Sequence, residues 1–211
     1  MKDIILIGGG GHCKSIIDSL KDSCEFNIVG ILDLKENIGG FINNIKIIGT
    51  DNDLVKFHKK GINYAFIGVG SIGNPKLRIE LYENAKKIGY KFPFIIDKSA
   101  IISKNTVIKE GSFIGKGVII NSDVHIGKNC IINTGCIIDH ECIIKDFVHI
   151  APGSVLSGGV EIGTNTHIGT NSTIIQYRKI GSNTIIGAGS VVVKDIKNNV
   201  KAYGNPCKEV Y

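Results

Sequence analysis

Two patterns in the sequence predict two different domains. In residues 1–97, strand-like apolar runs alternate with helical stretches, an order typical of a Rossmann-like α/β domain with a parallel sheet. In residues 98–211, aliphatic side chains recur every six residues without helical patterns, which is typical of a parallel β-helix. The predicted fold class is therefore an α/β N-terminal domain followed by an all-β solenoid of hexapeptide repeats.

The α/β prediction rests on three apolar runs, which predict parallel strands: IILIG, FNIVGILD and NYAFIGVG. Stretches with helical periodicity follow these runs, near residues 12–20, 51–60 and 75–88. A run of glycines joins the first strand to the first helix, where backbone N–H groups can come close to a phosphate. Asp33 ends the second strand and is placed to meet the ribose or base of a nucleotide bound there.

A second glycine pattern, GxGxxG, occupies residues 68–73 after the third predicted strand. In a sequence with 27 glycines, a tight turn explains this pattern at least as well as a dinucleotide site does. We therefore expect the first glycine loop to hold the nucleotide. The candidate nucleotide-binding residues are Gly8, Gly9, Gly10, Gly11, His12, Asp33 and Gly70.

The repeat of the second domain predicts its coil directly. Aliphatic residues occupy every sixth position from Ile102 to Val192, and (192 − 102)/6 gives 15 steps, hence 16 positions. Two residues before each aliphatic the side chain is nearly always small. The residue three positions before each aliphatic is usually Gly, Asn or Asp, which tolerate positive φ in a tight corner. Three hexapeptides close one triangular coil of 18 residues, and each coil buries its aliphatics against its neighbours.

The residue before each inward aliphatic points outward, because side chains alternate along a strand. Sorted in steps of 18, these residues form three columns, of which two are too apolar to face water. The first column is Ile101, Ile119, Ile137, Val155, Thr173 and Val191, and the third is Phe113, Ile131, His149, His167 and Ile185. We therefore expect a homotrimer in which each subunit uses both columns.

The corner pattern fails at four places, which are Ser99, Glu141, Phe147 and Tyr177. Ser99 marks the edge of the repeat, but Glu141 follows His140, and Phe147 lies two residues before His149. Exceptions to local rules concentrate at functional sites. Half a coil separates the two histidines, so we expect them to meet only across a subunit interface.

Among the histidines, His140 is the candidate general base, because the adjacent acid can orient its imidazole or raise its basicity. We expect His125 and His167 to be surface or interface residues. Two zinc-binding histidines five residues apart would indicate a γ-type carbonic anhydrase, and the histidines of the repeat do not have this spacing. No metal is expected.

The composition indicates a soluble globular protein. Its apolar runs are short, and the N-terminus enters a glycine loop, not a signal-peptide cleavage site, so we expect a cytoplasmic protein. The net charge of +6 is spread out, which suits anionic small molecules better than nucleic acid. The six cysteines include no CxxC pair, and we expect reduced core residues at positions 13, 24, 130, 136, 142 and 207.

The segment NTGCIIDHECIIKDFVHIAPGSVLSGGVEIG, with GGGGH near the start and YGNPCK near the end, resembles bacterial sugar acetyltransferases of the sialic acid O-acetyltransferase family. That family includes UDP-4-amino-sugar and perosamine N-acetyltransferases, and the resemblance covers essentially the whole chain. It implies a left-handed β-helix, a homotrimer, acetyl-CoA as co-substrate and a nucleotide-sugar pocket in the N-terminal domain.

The resemblance also implies roles for individual residues. His140 would take a proton from the acceptor, with Glu141 tuning it. Tyr177-Arg178 departs from the family's small turn residue and aliphatic, which makes Arg178 a candidate for a CoA phosphate. The implied contacts to the acetyl group and the pantetheine arm, together with the remaining candidates, are Asn133, His149, Gly158, Gly159, His167 and Arg178.

The implied reaction is N-acetylation of the 4-amino group of a UDP-linked amino-deoxy sugar in bacterial glycan biosynthesis. O-acetylation of sialic acid or a related nonulosonic acid is the alternative, because the same base would serve either acceptor. A protein that binds a nucleotide sugar without catalysis is a further alternative, and it predicts that His140→Ala leaves function intact.

Overall fold

The computed structural model describes residues 1–23 and 25–210, which divide into two units. The first unit comprises residues 1–70 and 76–95. The second comprises residues 71–75 and the chain from Ile96 onward. The short segment Ser71–Pro75 therefore belongs to the second unit, although in sequence it interrupts the first.

The first unit is an α/β sheet whose strands are joined by helices. Its elements are β1 (Lys2–Ile7), α1 (Gly11–Ser23), β2 (Phe26–Leu32), β3 (Phe41–Ile42), β4 (Ile45–Gly49), α2 (Leu54–Lys59), β5 (Tyr64–Ile67) and α3 (Lys76–Ile88), with 3-10 turns at Lys35–Asn37 and Asp51–Asp53. The strand order is β3-β4-β2-β1-β5, and all pairs are parallel except the hairpin β3–β4. The predicted strands and helices are present, and this hairpin is an addition.

The missed hairpin has a local cause. Asn43 and Asn44 form its two-residue turn and both have positive φ, which asparagine tolerates better than most residues. Its strands carry few buried side chains, so the apolar pattern that identified the central strands is weak there. In contrast, Ile4 to Leu6 of β1 are fully buried, as in a strand covered on both faces.

The second unit is a parallel β-helix of short strands arranged in three sheets. The first sheet contains β7, β10, β13, β16, β19 and β22, the second β8, β11, β14, β17 and β20, and the third β6, β9, β12, β15, β18, β21, β23 and β24. The bounds are β6 (Ile95–Ile96), β7 (Ile101–Ile102), β8 (Val107–Ile108), β9 (Phe113–Ile114), β10 (Ile119–Ile120), β11 (His125–Ile126), β12 (Ile131–Ile132), β13 (Ile137–Ile138), β14 (Ile143–Ile144), β15 (His149–Ile150), β16 (Val155–Leu156), β17 (Glu161–Ile162), β18 (His167–Ile168), β19 (Thr173–Ile174), β20 (Lys179–Ile180), β21 (Ile185–Ile186), β22 (Val191–Val192), β23 (Lys201–Tyr203) and β24 (Lys208–Val210).

The coil has the predicted register, because each strand from β7 to β19 pairs with the strand 18 residues further on, as Ile119 does with Ile137. Every sixth residue from Gly111 to Gly189 has positive φ, including the unusual corners Glu141, Phe147 and Tyr177. The aliphatic column from Ile114 to Val192 is buried and forms one continuous core. Small inward side chains satisfy backbone carbonyls of the next coil, as Ser112 Oγ does by donating to Gly127 O at 2.7 Å.

The third outward column is covered within the chain, which corrects one expectation. Phe113, Ile131 and His149 are only 2%, 1% and 8% exposed. In the first column, Ile101 and Ile137 remain 67% and 39% exposed. The expectation that both columns are open to other subunits is therefore wrong for these residues of the third column, whereas the first column presents exposed apolar side chains.

The cysteines behave as core residues where the structure describes them. Cys13, Cys136 and Cys142 are buried free thiols, Cys130 is buried with its thiol near Lys145 O, and Cys24 lies outside the described residues. Among the side chains that the structure describes, no group of three His, Cys, Asp or Glu could hold a metal ion. Over the same residues, no helix is long and apolar enough to cross a bilayer.

Candidate active site

His140 lies at the corner between β13 and β14, and its backbone is held by the residue before it. The Asp139 carboxylate accepts hydrogen bonds from the His140 backbone N–H at 2.9 Å and from Asn121 Nδ2 at 2.7 Å. The bond from Asn121, and then the bond from the His140 backbone, lower the pKa of Asp139. An ionised carboxylate therefore fixes the position from which the imidazole projects.

The imidazole of His140 is paired with the acid predicted to tune it. Its Nδ1 lies 3.0 Å from Glu141 Oε2, and both side chains are exposed. Because a carboxylate accepts hydrogen bonds, this contact places the proton of the neutral ring on Nδ1. Nε2 then carries a lone pair and can accept a proton from an acceptor amine or hydroxyl.

A pair of glycines one coil further on forms the surface beneath His140. A Cβ added at Gly158 would lie 2.5 Å from His140 Nε2, so the ring packs directly against this backbone. A Cβ added at Gly159 would lie 2.5 Å from Tyr177 Cδ1, in the following coil. The resemblance implied that the backbone at these glycines contacts the pantetheine arm, and that contact remains a prediction. In the structure, the absence of side chains at Gly158 and Gly159 leaves room for the rings of His140 and Tyr177.

A second cluster lies on the third sheet and contains Asn133 and His149. Asn133 Nδ2 is 3.3 Å from His149 Nε2, and His149 Nδ1 is hydrogen-bonded to the carbonyl oxygen of Ser71. His167 packs edge-on against His149, with 4.9 Å between the ring centroids. His167 is itself buried, and this burial lowers its pKa, so it is a neutral packing partner in the cluster.

Arg178 is engaged with groups of its own chain. Its Nη1 lies 3.5 Å from Asp195 Oδ1, and its Nε donates to Gln176 O at 3.2 Å. The side chain is one-third exposed, so a phosphate contact there would compete with Asp195. Such a contact remains a prediction.

Asn133 and His140 lie at different corners of the coil. Asn133 follows β12 and His140 follows β13, so one side of the triangular coil separates them. At about 3.3 Å per extended residue, a side of six residues spans at most on the order of 20 Å. That a reacting centre draws the two residues from two subunits remains a prediction.

Two of the nucleotide-binding candidates, Gly8 and Asp33, line a cavity in the first unit. The cavity has a volume of about 410 Å³ and is lined by Gly8, Asp33 and neighbouring residues. Gly8 has a φ of +96°, and a Cβ at Gly9 would lie 2.5 Å from Asp33 Oδ2, so the glycine loop packs against this carboxylate. Gly10 and Gly11 face open space at the start of α1. Gly70 lies near His12, because a Cβ added at Gly70 would lie 3.7 Å from the Cβ of His12.

The sequence analysis missed several polar residues of this cavity. Lys35 and Glu36 follow Asp33 after β2, and Asp51 and Asn52 follow β4. All of them lie just beyond the carboxyl ends of neighbouring parallel strands, where open α/β sheets bind their ligands. That rule could have identified them, had β4 been predicted as a strand of the sheet.

Comparison with known proteins supports the architecture over the whole chain. The family model of the PglD N-terminal domain matches residues 3–85, and the bacterial transferase hexapeptide model matches residues 105–140 and 141–176. A perosamine N-acetyltransferase variant from Caulobacter crescentus, solved with CoA and GDP-perosamine, is 34% identical. The match covers 100% of this chain and 98% of that one, with a TM-score of 0.93. The chain belongs to the hexapeptide-repeat sugar acetyltransferase family.

Other solved structures are also similar to this chain in fold. The acetyltransferase domain of PglB from Neisseria gonorrhoeae, solved with acetyl coenzyme A, is 31% identical over 99% of both chains, with a TM-score of 0.90. WeeI from Acinetobacter baumannii shares the fold at 24% identity and a TM-score of 0.86. No curated protein matches the sequence. As a member of the family, the chain is an acetyl-CoA-dependent sugar acetyltransferase with a left-handed β-helix.

Proposed function

We propose that this protein acetylates the 4-amino group of a UDP-linked amino-deoxy sugar, with His140 as the general base. The observation that carries the proposal is the His140–Glu141 pair held against Gly158, because this pairing leaves Nε2 without a proton on a half-exposed side chain. The relative from Caulobacter crescentus, solved with CoA and GDP-perosamine, supports an amino sugar linked to a nucleotide as the acceptor class.

The chemistry requires two proton transfers through His140, one to it and one from it, and the exchange of a C–S bond for a C–N bond at the acetyl carbon. The acceptor nitrogen forms a bond to the carbonyl carbon of the thioester while His140 Nε2 takes a proton from that nitrogen. The C–S bond then breaks, and the CoA thiolate leaves with the proton that the imidazolium returns. Glu141 stabilises the imidazolium between these two events through its contact with Nδ1.

The cavity of the first unit supports a nucleotide-linked acceptor. Asp33 and Glu36 can accept hydrogen bonds from base N–H or ribose O–H groups, and Lys35 adds a positive charge beside them. The glycine loop that ends at α1 offers backbone N–H groups to a diphosphate. UDP is our first choice of nucleotide, and the relative solved with GDP-perosamine makes GDP the necessary comparison.

We also propose that the protein acts as a cytoplasmic homotrimer. The exposed apolar side chains of the first column, Ile101 and Ile137, support contact with another subunit. The placement of His140 and Asn133 at different corners supports it independently, because we expect an active site using both to draw them from two copies of the chain. Sedimentation at micromolar concentration tests this directly, and a monodisperse monomer would contradict it.

The test of the function follows CoA release from acetyl-CoA with four acceptors. These are a UDP-linked and a GDP-linked 4-amino-4,6-dideoxy sugar, and free and CMP-linked sialic acid. We expect turnover with the UDP-linked sugar, and a loss of about 10²- to 10⁴-fold in His140→Ala. His125→Ala is the matched control, because His125 is an exposed histidine in the next coil towards the N-terminus and should leave the rate unchanged.

The outcomes separate the alternatives. Turnover with the GDP-linked sugar alone would support N-acetylation but would identify GDP, not UDP, as the nucleotide of the acceptor. Turnover with sialic acid alone would establish O-acetylation instead. A protein that binds the UDP-linked sugar but releases no CoA with any acceptor would be a binding protein, and His140→Ala would then leave its affinity unchanged.

A further inference from the structure

Helix α3 carries a buried arginine that is hydrogen-bonded to the backbone at the end of β5. Arg78 is only 2% exposed, whereas arginine is almost never fully buried without specific partners. Its Nη1 donates a hydrogen bond to the carbonyl oxygen of Ile67 at 3.2 Å and another to the carbonyl oxygen of Val69. A single guanidinium nitrogen therefore holds the backbone on both sides of Gly68, which begins the second glycine pattern.

These bonds lie where the sheet stops fixing the chain. The pairing of β5 with β1 ends at Ile67, opposite Ile7, and the N–H of Gly68 donates to the Ile7 carbonyl oxygen at 2.7 Å. Val69 comes one residue later, and its carbonyl oxygen is bonded to Arg78. Because the guanidinium is always charged, its hydrogen bonds are stronger than those of a neutral donor. Arg78 thus extends the order of the sheet into the loop.

The loop that Arg78 holds packs directly on the first glycine loop. A Cβ added at Gly8 would overlap the side chain of Val69 and lie 3.0 Å from its backbone nitrogen. A Cβ added at Gly68 would overlap the carbonyl oxygen of Gly8 and lie 3.1 Å from the Cβ of Cys13. Val69 and Gly8 both line the cavity of about 410 Å³ in the first unit. The position of Val69 therefore sets the shape of the cavity wall.

We propose that Arg78 is a positioning residue for nucleotide recognition, which holds Val69 against Gly8 as one wall of the cavity. The inference rests on the proposed function, because it assumes that this cavity binds the nucleotide part of the acceptor. Among the described residues, Leu77 and Leu81 of α3 line the cavity and Arg78 does not, so Arg78 acts through the loop. The second glycine pattern then serves nucleotide binding indirectly, because it supports the first glycine loop.

The test measures the binding of UDP, GDP and acetyl-CoA to the full chain by isothermal titration calorimetry. Arg78→Met fills a similar volume but removes the donor from two carbonyls. We expect it to weaken the better nucleoside diphosphate by about 10-fold, the size of effect that loss of a buried hydrogen-bond donor produces. The affinity for acetyl-CoA should not change. Equal losses for the nucleotide and acetyl-CoA would mean a general structural role and would overturn the proposal.

Two further variants separate positioning from general destabilisation. Arg78→Lys should recover part of the affinity, because a single nitrogen makes both hydrogen bonds in the wild type and an ammonium group can donate to both carbonyls. Phe92→Leu is the matched control, because Phe92 is 4% exposed and packs on Tyr82 of the same helix, with 4.9 Å between the ring centroids. The control should lower the melting temperature and leave nucleotide binding intact. A Lys variant no better than Met, or a control that loses as much affinity as Arg78→Met, would contradict the inference.

A double-mutant cycle with Val69→Ala tests the path of the effect. Val69→Ala should itself weaken the nucleotide by about 3- to 10-fold, because it removes part of the cavity wall. In that background, Arg78→Met should cost clearly less than in the wild type, because its effect acts through Val69. Losses that multiply would indicate that the charge of Arg78 acts on the ligand directly, and would overturn the proposal.

Val69→Ala also covers the case in which Arg78→Met does not fold, because Val69 is partly exposed and its truncation should be tolerated. An unchanged nucleotide affinity in Val69→Ala would then overturn the inference. A wild-type protein that binds neither UDP nor GDP would count against the proposed function, and the inference would fail with it. A wild-type protein that binds a nucleoside diphosphate, with Arg78→Met binding it equally well, would count against the inference alone.

Discussion

Gly158→Ala tests whether the backbone beneath His140 sets the position of the base. The added Cβ would lie 2.5 Å from His140 Nε2, whereas ordinary contacts begin near 3.4 Å, so the ring must withdraw by 3.4 − 2.5 = 0.9 Å. A displacement of about 1 Å at a reacting group can cost about 10²-fold in rate, or about 2.7 kcal/mol of transition-state stabilisation. Gly158 does not have positive φ, so alanine fits its backbone and the fold should survive.

The assay is CoA release at saturating acetyl-CoA, with thermal unfolding as the check on folding. Gly189→Asn is the control, because a Cβ there meets nothing within 4 Å and Asn171 occupies the equivalent corner one coil earlier. We expect the control to retain activity and Gly158→Ala to lose about 10²-fold. In a His140→Ala background, Gly158→Ala should have no further effect. A folded Gly158→Ala enzyme within a few-fold of wild type would refute the argument.

Three further predictions concern stability and reactivity. Tyr177 has a φ of 57°, which asparagine adopts at a lower cost than tyrosine, and its side chain is 63% exposed. Tyr177→Asn should therefore raise the free energy of unfolding by about 1 kcal/mol in urea titrations, and a lower free energy of unfolding would contradict this. Burial lowers the pKa of His167 below its usual 6.5, so its contribution to stability is complete above pH 6.5 and is lost as the pH falls through the lowered value. Wild type should therefore lose more stability than His167→Phe between about pH 7.5 and pH 5, and equal losses would refute this. Burial raises the pKa of Cys136 and Cys142 to about 11 each, so iodoacetamide should label them only after unfolding; peptide mass spectrometry that finds either modified in the native protein would contradict this.

The β-helix could be predicted almost completely because its tertiary contacts repeat along the sequence. Each coil touches only its neighbours, so a six-residue rule gives burial, corner and pairing partner together. The corners at Glu141 and Tyr177 are exceptions in sequence but keep the positive φ of their neighbours. In the α/β unit, the parallel strands were recognised by their buried apolar runs, and the exposed hairpin was missed because it lacks such a run.

Part of the candidate site follows from the same repeat. Glu141 is adjacent to His140 in sequence, and steps of 18 place Gly159 and then Tyr177 on the same corner, since 141 + 18 = 159 and 159 + 18 = 177. This arithmetic could have shown that Gly158 lies beneath the imidazole. It could not have given the distance between Gly158 and His140 Nε2, because that distance depends on the rotamer of the histidine side chain.

The sequence by itself determined the coil, the corner that carries the base and the acid beside it, because these are relations between neighbours in the chain or between neighbouring coils. Only the tertiary structure decided the hydrogen-bond partner of His149 Nδ1. This partner, Ser71, is 78 residues away and lies outside the repeat, so no periodicity relates the two. The same holds for the covered third column, whose apolar residues would have looked alike in sequence whether they met another subunit or their own chain.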